Sequence, residues 1–161
     1  MAANKHLPHV LVLPEDDANR QLANGFRLSL DPSVARRLDV LSPAGGWTHV
    51  LDGFVSDHIF DMEKYHERTM VLLIDFDCQN SRLDDAKSKI PLHLQDRVFI
   101  LGAWSNPEKL RAAGLGSYEA IGFDLGRGCR EQINTTWEHD LLSCNADELE
   151  RLRQRVRPIL F

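Results

Sequence analysis

Two aspartates one residue apart close the apolar run Val71-Leu72-Leu73-Ile74-Asp75-Phe76-Asp77. A run this short and apolar predicts a strand buried on both faces. Alternate strand residues point the same way, so Asp75 and Asp77 are expected side by side at its carboxyl end. A second run, Val10 to Leu13, meets Pro14 and then three acids, Glu15, Asp16 and Asp17, directly before a helical pattern. In open α/β sheets ligands bind outside the carboxyl ends of the strands, which places Glu15, Asp75 and Asp77 in one crevice. Carboxylates crowded there repel one another, and a hard divalent cation relieves the repulsion; magnesium, manganese or calcium suits such oxygen donors better than zinc does. Mg²⁺ or Mn²⁺ is the expected cofactor, with Asp16, Asp17 and Glu108 as candidate additional ligands. Asp16 and Asp17 also suit the cap position of the helix that follows.

The elements that must position these acids follow from the alternation of short apolar runs with helix-period segments, the signature of an α/β fold with a parallel sheet. The expectation is a single three-layer α/β domain over residues 1–161, with a four-stranded, mainly parallel sheet and a C-terminal helical extension over about 117–161. Strands are expected near residues 9–14, 37–42, 70–76 and 97–102. Ala18, Leu22 and Phe26 recur at helical spacing, and Asn24-Gly25 and Asp31-Pro32 mark the far end of that helix. The second strand runs into Ser42-Pro43-Ala44-Gly45-Gly46, followed by a helical segment that Gly53 and Ser56-Asp57 interrupt. Leu83, Ala86 and Ile90 share the face of a later helix. Another starts at either an Asn106 cap with Pro107 in its first turn or a capping box between Ser105 and Glu108. Ile121, Leu125 and Cys129 form a further stripe. In the last helix Asn145 is expected as cap, with Glu148 closing its box and Pro158 stopping it, which leaves Ile159-Leu160-Phe161 packed on the domain.

Composition narrows the function classes. The formal net charge of −5 and pI near 5.8 argue against a broad electrostatic footprint for nucleic acid, so any such contact is local. The arginines of the last third, Arg127, Arg130, Arg151, Arg153, Arg155 and Arg157, read as a solvated face paired with Glu148 and Glu150. No apolar run is long enough to span a bilayer, and Met1 to Lys5 lack the apolar core of a secretory signal; a cytoplasmic location is expected. Cys78, Cys129 and Cys144 form no Cys-x-x-Cys pair, which points to neither a disulfide framework nor structural zinc. Cys78, without an adjacent base, reads as a buried small residue. The histidines show no metal-ligand helical spacing, and Trp47, Trp104 and Trp137 read as packing residues.

The acidic pattern resembles the Toprim domain of topoisomerases, primases and OLD-type nucleases. Val10-Leu11-Val12-Leu13-Pro14-Glu15 looks like the family's first motif, a glutamate just after the first strand. Leu73-Ile74-Asp75-Phe76-Asp77 looks like its Asp-x-Asp after the third. Val40 to Gly46 is similar to the glycine-bearing turn after the second strand of OLD-type members, and Glu108 sits about where they carry a further acid. The resemblance covers roughly residues 9–115. It departs from the family at Asp16, where glycine is frequent, at Asn19, where OLD-type members often carry aspartate, at Gln79 in place of a third aspartate, and in lacking an obvious lysine in the last third.

The resemblance implies metal-dependent hydrolysis of a nucleic-acid phosphodiester. Glu15, Asp75 and Asp77 would hold the cation and serve catalysis, while Gly45 and Gly46 would let backbone amides approach a phosphate. OLD-type nucleases carry an ATPase in the same chain. No Gly-x-x-x-x-Gly-Lys occurs here, so the expected partners are nucleic acid and a separate ATPase, with self-association as a further expectation and no membrane. Two other readings stand beside it: a noncatalytic Toprim-like interaction module, and a receiver-like signalling domain with Asp75 or Asp77 as phosphoacceptor, for which the required lysine after a fifth strand is missing.

Overall fold

Three of the four strands are runs rich in Val, Leu and Ile with apolar residues on both faces, and only a sheet covered on both sides buries them. The short edge strand, Leu38-Asp39-Val40, turns its aspartate to the other face. The computed structural model describes residues 2–161. The strands are β1 (His9–Pro14), β2 (Leu38–Val40), β3 (Arg68–Leu73) and β4 (Val98–Leu101), paired in the order β2-β1-β3-β4, with every pairing parallel. Adjacent β1 and β3 bracket the place where the chain reverses its direction across the sheet. That is the topological switch point, where an α/β sheet opens a crevice at its carboxyl edge.

Strand alternation divides the core in two. Val10, Val12, Val71, Phe99 and Leu101 face α1 (Asp17–Leu28), α6 (Tyr118–Glu131) and α7 (Ala146–Leu160). Leu11, Leu13, Met70, Leu72, Val98 and Ile100 face α2 (Trp47–Gly53), α3 (Ile59–Lys64) and α4 (Asn80–Ser88). The expected three-layer α/β architecture is therefore the observed one. A short α5 (Pro107–Ala112) follows β4, capped by Asn106, whose side chain accepts from the Lys109 N–H; of the two expected caps, the backbone uses this one.

Several expected boundaries fall elsewhere, each for a packing reason. α1 does not end at Asn24-Gly25 but continues to Leu28, because Gly25 lies where α1 crosses α6. A Cβ on Gly25 would lie 2.1 Å from the Glu119 carbonyl oxygen, and one on Gly122 would lie 1.9 Å from that of Leu22. Gly53 and Ser56-Asp57 do not break their helix either; one π turn, Phe54–His58, joins α2 to α3 and buries Phe54. Pro158 lies inside α7, which runs on to Leu160. Ile159 and Leu160 are buried as expected of a packed tail.

The largest departure concerns Asn145 and Glu148: Asn145 stands at the N-cap position of α7 as expected, but its side chain makes no capping bond and Glu148 closes no box. Both are buried and close the open edge of β4 instead. Glu148 Oε2 accepts the Ile100 N–H at 2.9 Å, while Asn145 accepts the Gly102 N–H at 3.0 Å and donates to the Gly102 carbonyl at 2.8 Å. Arg151 donates to the Gln95 and Val98 carbonyls and pairs with Glu148. Side chains of one helix thus stand in for a fifth strand and satisfy backbone groups that an exposed edge would leave open. The C-terminal arginines consequently form no single solvated face: Arg153 is buried on the Gly128 carbonyl and Asn134, and Arg155 reaches Thr69. Among the described residues no helix is long and apolar enough to cross a membrane.

The α1–α6 contact yields a direct test. Gly122→Ala should destabilise the protein by about 2 kcal/mol or more, the usual scale of overpacking against backbone that cannot yield. Urea unfolding should show a lower midpoint, whereas Gly53→Ala, with open space around the added methyl, should leave the midpoint unchanged or raise it.

Candidate functional site

The acids reach the crevice by two different backbone routes. β1 ends at Pro14, and the Glu15 N–H still bonds the Leu73 carbonyl at 2.9 Å, which keeps Glu15 beside the end of β3. Asp16 then caps α1, its carboxylate accepting the Asn19 N–H at 2.9 Å. Asp17 turns outward, where Arg20 and Gln21 bind its carboxylate and hold it below the usual range. Of the two acids after Glu15, Asp16 therefore belongs to the crevice and Asp17 does not.

Asp75 and Asp77 do not emerge side by side. Beyond Leu73 the chain stays extended along β4, with Ile74 bonded to the Leu101 carbonyl and Phe76 to that of Ala103. Ile74 and Phe76 are buried among the α2–α4 side chains, so Asp75 points to the opposite face. Asp77 and Cys78 then adopt left-handed backbone angles, φ 48° and 57°, that swing the chain into α4. Two consecutive non-glycine residues in this region cost about 1 kcal/mol each or more, a strain found characteristically beside functional sites. The turn carries Asp77 outward and leaves Cys78 exposed, not buried as its size suggested.

Asp75 is the centre of the cluster, only 7% exposed. Its N–H donates to Glu15 Oε2 at 2.7 Å, which binds the two strand ends through one residue's backbone and another's side chain. Its carboxylate accepts from Asn19 Nδ2 at 3.0 Å, and the same amide nitrogen reaches Asp16 at 3.1 Å. Burial, opposed by the Asn19 bond and reinforced by the charges of Glu15, Asp16 and Glu108, pushes the Asp75 carboxyl up to about 7. Glu15 is also raised, first by burial and then by Asp16 and Asp77, with the Asp75 N–H and Arg82 acting against the rise. Glu108 is exposed at the mouth, near enough to act on Asp75 by charge.

Asp77 has a different partner. Arg82, in the first turn of α4, donates through Nη1 to the Asp77 carboxylate and to the Asp75 carbonyl, both at 2.7 Å. Its guanidinium stacks 4.5 Å from the ring centroid of Trp47. Trp47 follows the Gly45-Gly46 turn, which docks on the site because the Gly45 N–H donates to the Glu15 carbonyl at 2.9 Å. Gly45 and Gly46 have φ of 96° and 151°, angles that favour residues without a side chain.

The donor chemistry suits a hard cation. Glu15, Asp16, Asp75 and Asp77 each engage one carboxylate oxygen with a donor and leave the other free of protein donors, and Asn19 Oδ1 is buried with no hydrogen-bond partner among the described residues. Oxygen atoms crowded without donors are what Mg²⁺ and Mn²⁺ prefer. As they stand, however, no three Asp, Glu, His or Cys side chains among the described residues are arranged to hold a metal ion together. Asp77 is drawn to Arg82, and Glu15 to the Asp75 backbone.

Three residues of the site escaped the sequence reading. Asn19 was noted only as a departure from aspartate, although a polar residue beside the apolar stripe of α1 signals a buried partner. Arg82 sits where the helix dipole disfavours a cation, and that misplacement was its available signal. Gly102 left none: a Cβ there would lie 1.6 Å from the Ile74 carbonyl oxygen, so only glycine lets β4 approach the residue before Asp75. Compared with protein-family models, curated proteins and solved structures, the chain matches none.

The raised Asp75 carboxyl has a pH signature. A folded-state value near 7 lies above the ordinary 3.8, so the native state binds the extra proton and metal-free stability falls as pH rises from about 4 to 7. Asp75→Asn should flatten that decline. Chemical denaturation of both proteins at pH 5 and pH 8 without divalent cations checks this: the wild type should lose more stability than the variant between the two values.

Proposed function

We propose that the crevice between β1 and β3 binds Mg²⁺ or Mn²⁺ and hydrolyses phosphodiester bonds of DNA or RNA, as the Toprim-type nucleases it resembles do. One observation carries this reading: at the switch point of a parallel sheet, Glu15 and Asp75 are joined by a direct hydrogen bond and flanked by Asp16 and Asp77. Burial, with the neighbouring charges behind it, raises the proton affinity of the first two, and such perturbation in a cleft is a mark of functional carboxylates.

A bound cation would neutralise this charge, polarise the phosphate and ease deprotonation of the attacking water. Asp75 and Asp77 would hold it, with Asp16 beside them and Glu108 at the mouth. Glu15, whose second oxygen is free, either ligates or exchanges a proton with the nucleophile or leaving group. Asn19 steadies Asp75 and Asp16 by donating to both. Gly45 has committed its N–H to Glu15, so the approach of a phosphate to the backbone falls to Gly46.

The acidic balance of the chain supplies little phosphate-binding surface, and a separate ATPase partner would add both basic surface and energy coupling. The Arg82–Asp77 pair favours a second reading, a noncatalytic Toprim-like module in which an internal cation has replaced the metal. The two separate by assay. Labelled single- and double-stranded DNA and RNA incubated with Mn²⁺ should be cut by the wild type, with the rate reduced by about 10² or more in Glu15→Gln and in Asp75→Asn. Absence of cleavage, together with Mn²⁺ affinity that the double substitution Asp75→Asn, Asp77→Asn leaves unchanged in calorimetry, would establish the noncatalytic module.

A further inference from the structure

Arg82 is poorly placed for a purely structural residue. It is 6% exposed, it stands in the first turn of a helix where a positive charge is disfavoured, and its Nε is buried with no partner among the described residues. Burying a guanidinium with an unsatisfied N–H is unfavourable unless opposite charge compensates it. The compensation comes from the crevice: Asp77 Oδ2 and the Asp75 carbonyl share Nη1, and Arg82 is the one basic side chain acting on Glu15. The Trp47 ring covers the guanidinium from the side of the glycine turn. Arg82 thus fastens three segments that surround the acids: the β3–α4 loop, the start of α4 and the start of α2.

Two features draw the Asp77 carboxylate to the outside of the cluster, the left-handed turn of its backbone and the pair with Arg82. Its side chain is half exposed and its loop is held in a left-handed turn, whereas Arg82 is fixed by stacking and burial. The accessible member of the pair is the aspartate. Resting on the metal-site reading above, we propose that Arg82 is a resident counter-ion that latches Asp77 out of the cation site, so that Mg²⁺ or Mn²⁺ binds only as the Arg82–Asp77 pair opens. Two buried atoms at the site have no partner among the described residues, Arg82 Nε on the latch and Asn19 Oδ1 beside the acids, and the second is an oxygen that a cation could use.

The latch predicts that loosening Arg82 strengthens metal binding. Arg82→Lys keeps the charge and loses the planar, stacked fork, so simple repulsion between cations predicts no change, whereas the latch predicts tighter Mn²⁺ binding. Free Mn²⁺ measured by electron paramagnetic resonance should show affinity rising roughly fivefold in Arg82→Lys, the scale of a half-exposed ion pair, and further in Arg82→Gln. Mg²⁺ should also change the Trp47 component of the emission, read as the difference between wild type and Trp47→Phe, because the guanidinium leaves the ring. Should Arg82→Gln not fold, Arg82→Lys and the Trp47 emission decide alone. Wild-type Mn²⁺ binding that is lost in Glu15→Gln but unchanged or weakened in Arg82→Lys overturns the latch and leaves the metal site standing. Absence of Mn²⁺ binding in the wild type and both Arg82 variants overturns the site and the latch with it.

Discussion

A carboxylate buried at the end of a parallel sheet, beside a second one, is the constraint around which this molecule is organised. Asp75 has lost most of its water, and the charges of Glu15, Asp16 and Glu108 oppose its own. Desolvation and repulsion act in the same direction, so the group survives there only because polar partners surround it. Asn19 donates to its side chain, Arg82 donates to its carbonyl, and its own N–H goes to Glu15. Each partner comes from a different element, so the placement of α1, α4 and β1 and the charge state of the site form one problem.

The remainder of the fold holds those partners within hydrogen-bond reach. Gly25 and Gly122 let α1 lie close against α6, which sets the depth at which Asn19 enters the crevice. Gly102 lets β4 press on Ile74, and Asn145, at the head of α7, fastens both polar groups of Gly102. A helix far along the chain thereby steadies the backbone one residue before Asp75. The use of Glu148 and Asn145 as a substitute strand also removes an exposed edge from a small sheet.

Arg82 relieves part of the negative charge of the site from within, its guanidinium held against Asp77 and the Asp75 carbonyl. The divalent cation proposed above would relieve the same charge from outside. The left-handed turn at Asp77 and Cys78 lies beside that ion pair, so backbone strain is concentrated at the edge of the acidic cluster.

Apolar periodicity by itself determined the fold class, all four strands to within a few residues, and the assignment of Glu15 and Asp75 to one crevice. These depend on local pattern and on the general rule that parallel sheets bury both faces and open at their carboxyl edge. Local pattern also offered Asp16 and Asn106 as caps, each beside an alternative, and the folded backbone chose between them. Local pattern failed where a side chain's partner lies far away in sequence. Asn145 and Glu148 match a capping box by spacing, yet the unpaired edge of β4 offered them stronger uses. Pro158 and Gly25 match helix stops, yet packing carries their helices onward. Asp75 and Asp77 match neighbours on a strand, yet backbone turning at Asp77 and the pull of Arg82 separate them. Spacing specifies which residues can share a face; only tertiary structure decides which buried charge finds which partner, because that choice is set by desolvation and contact across segments that the sequence does not place side by side.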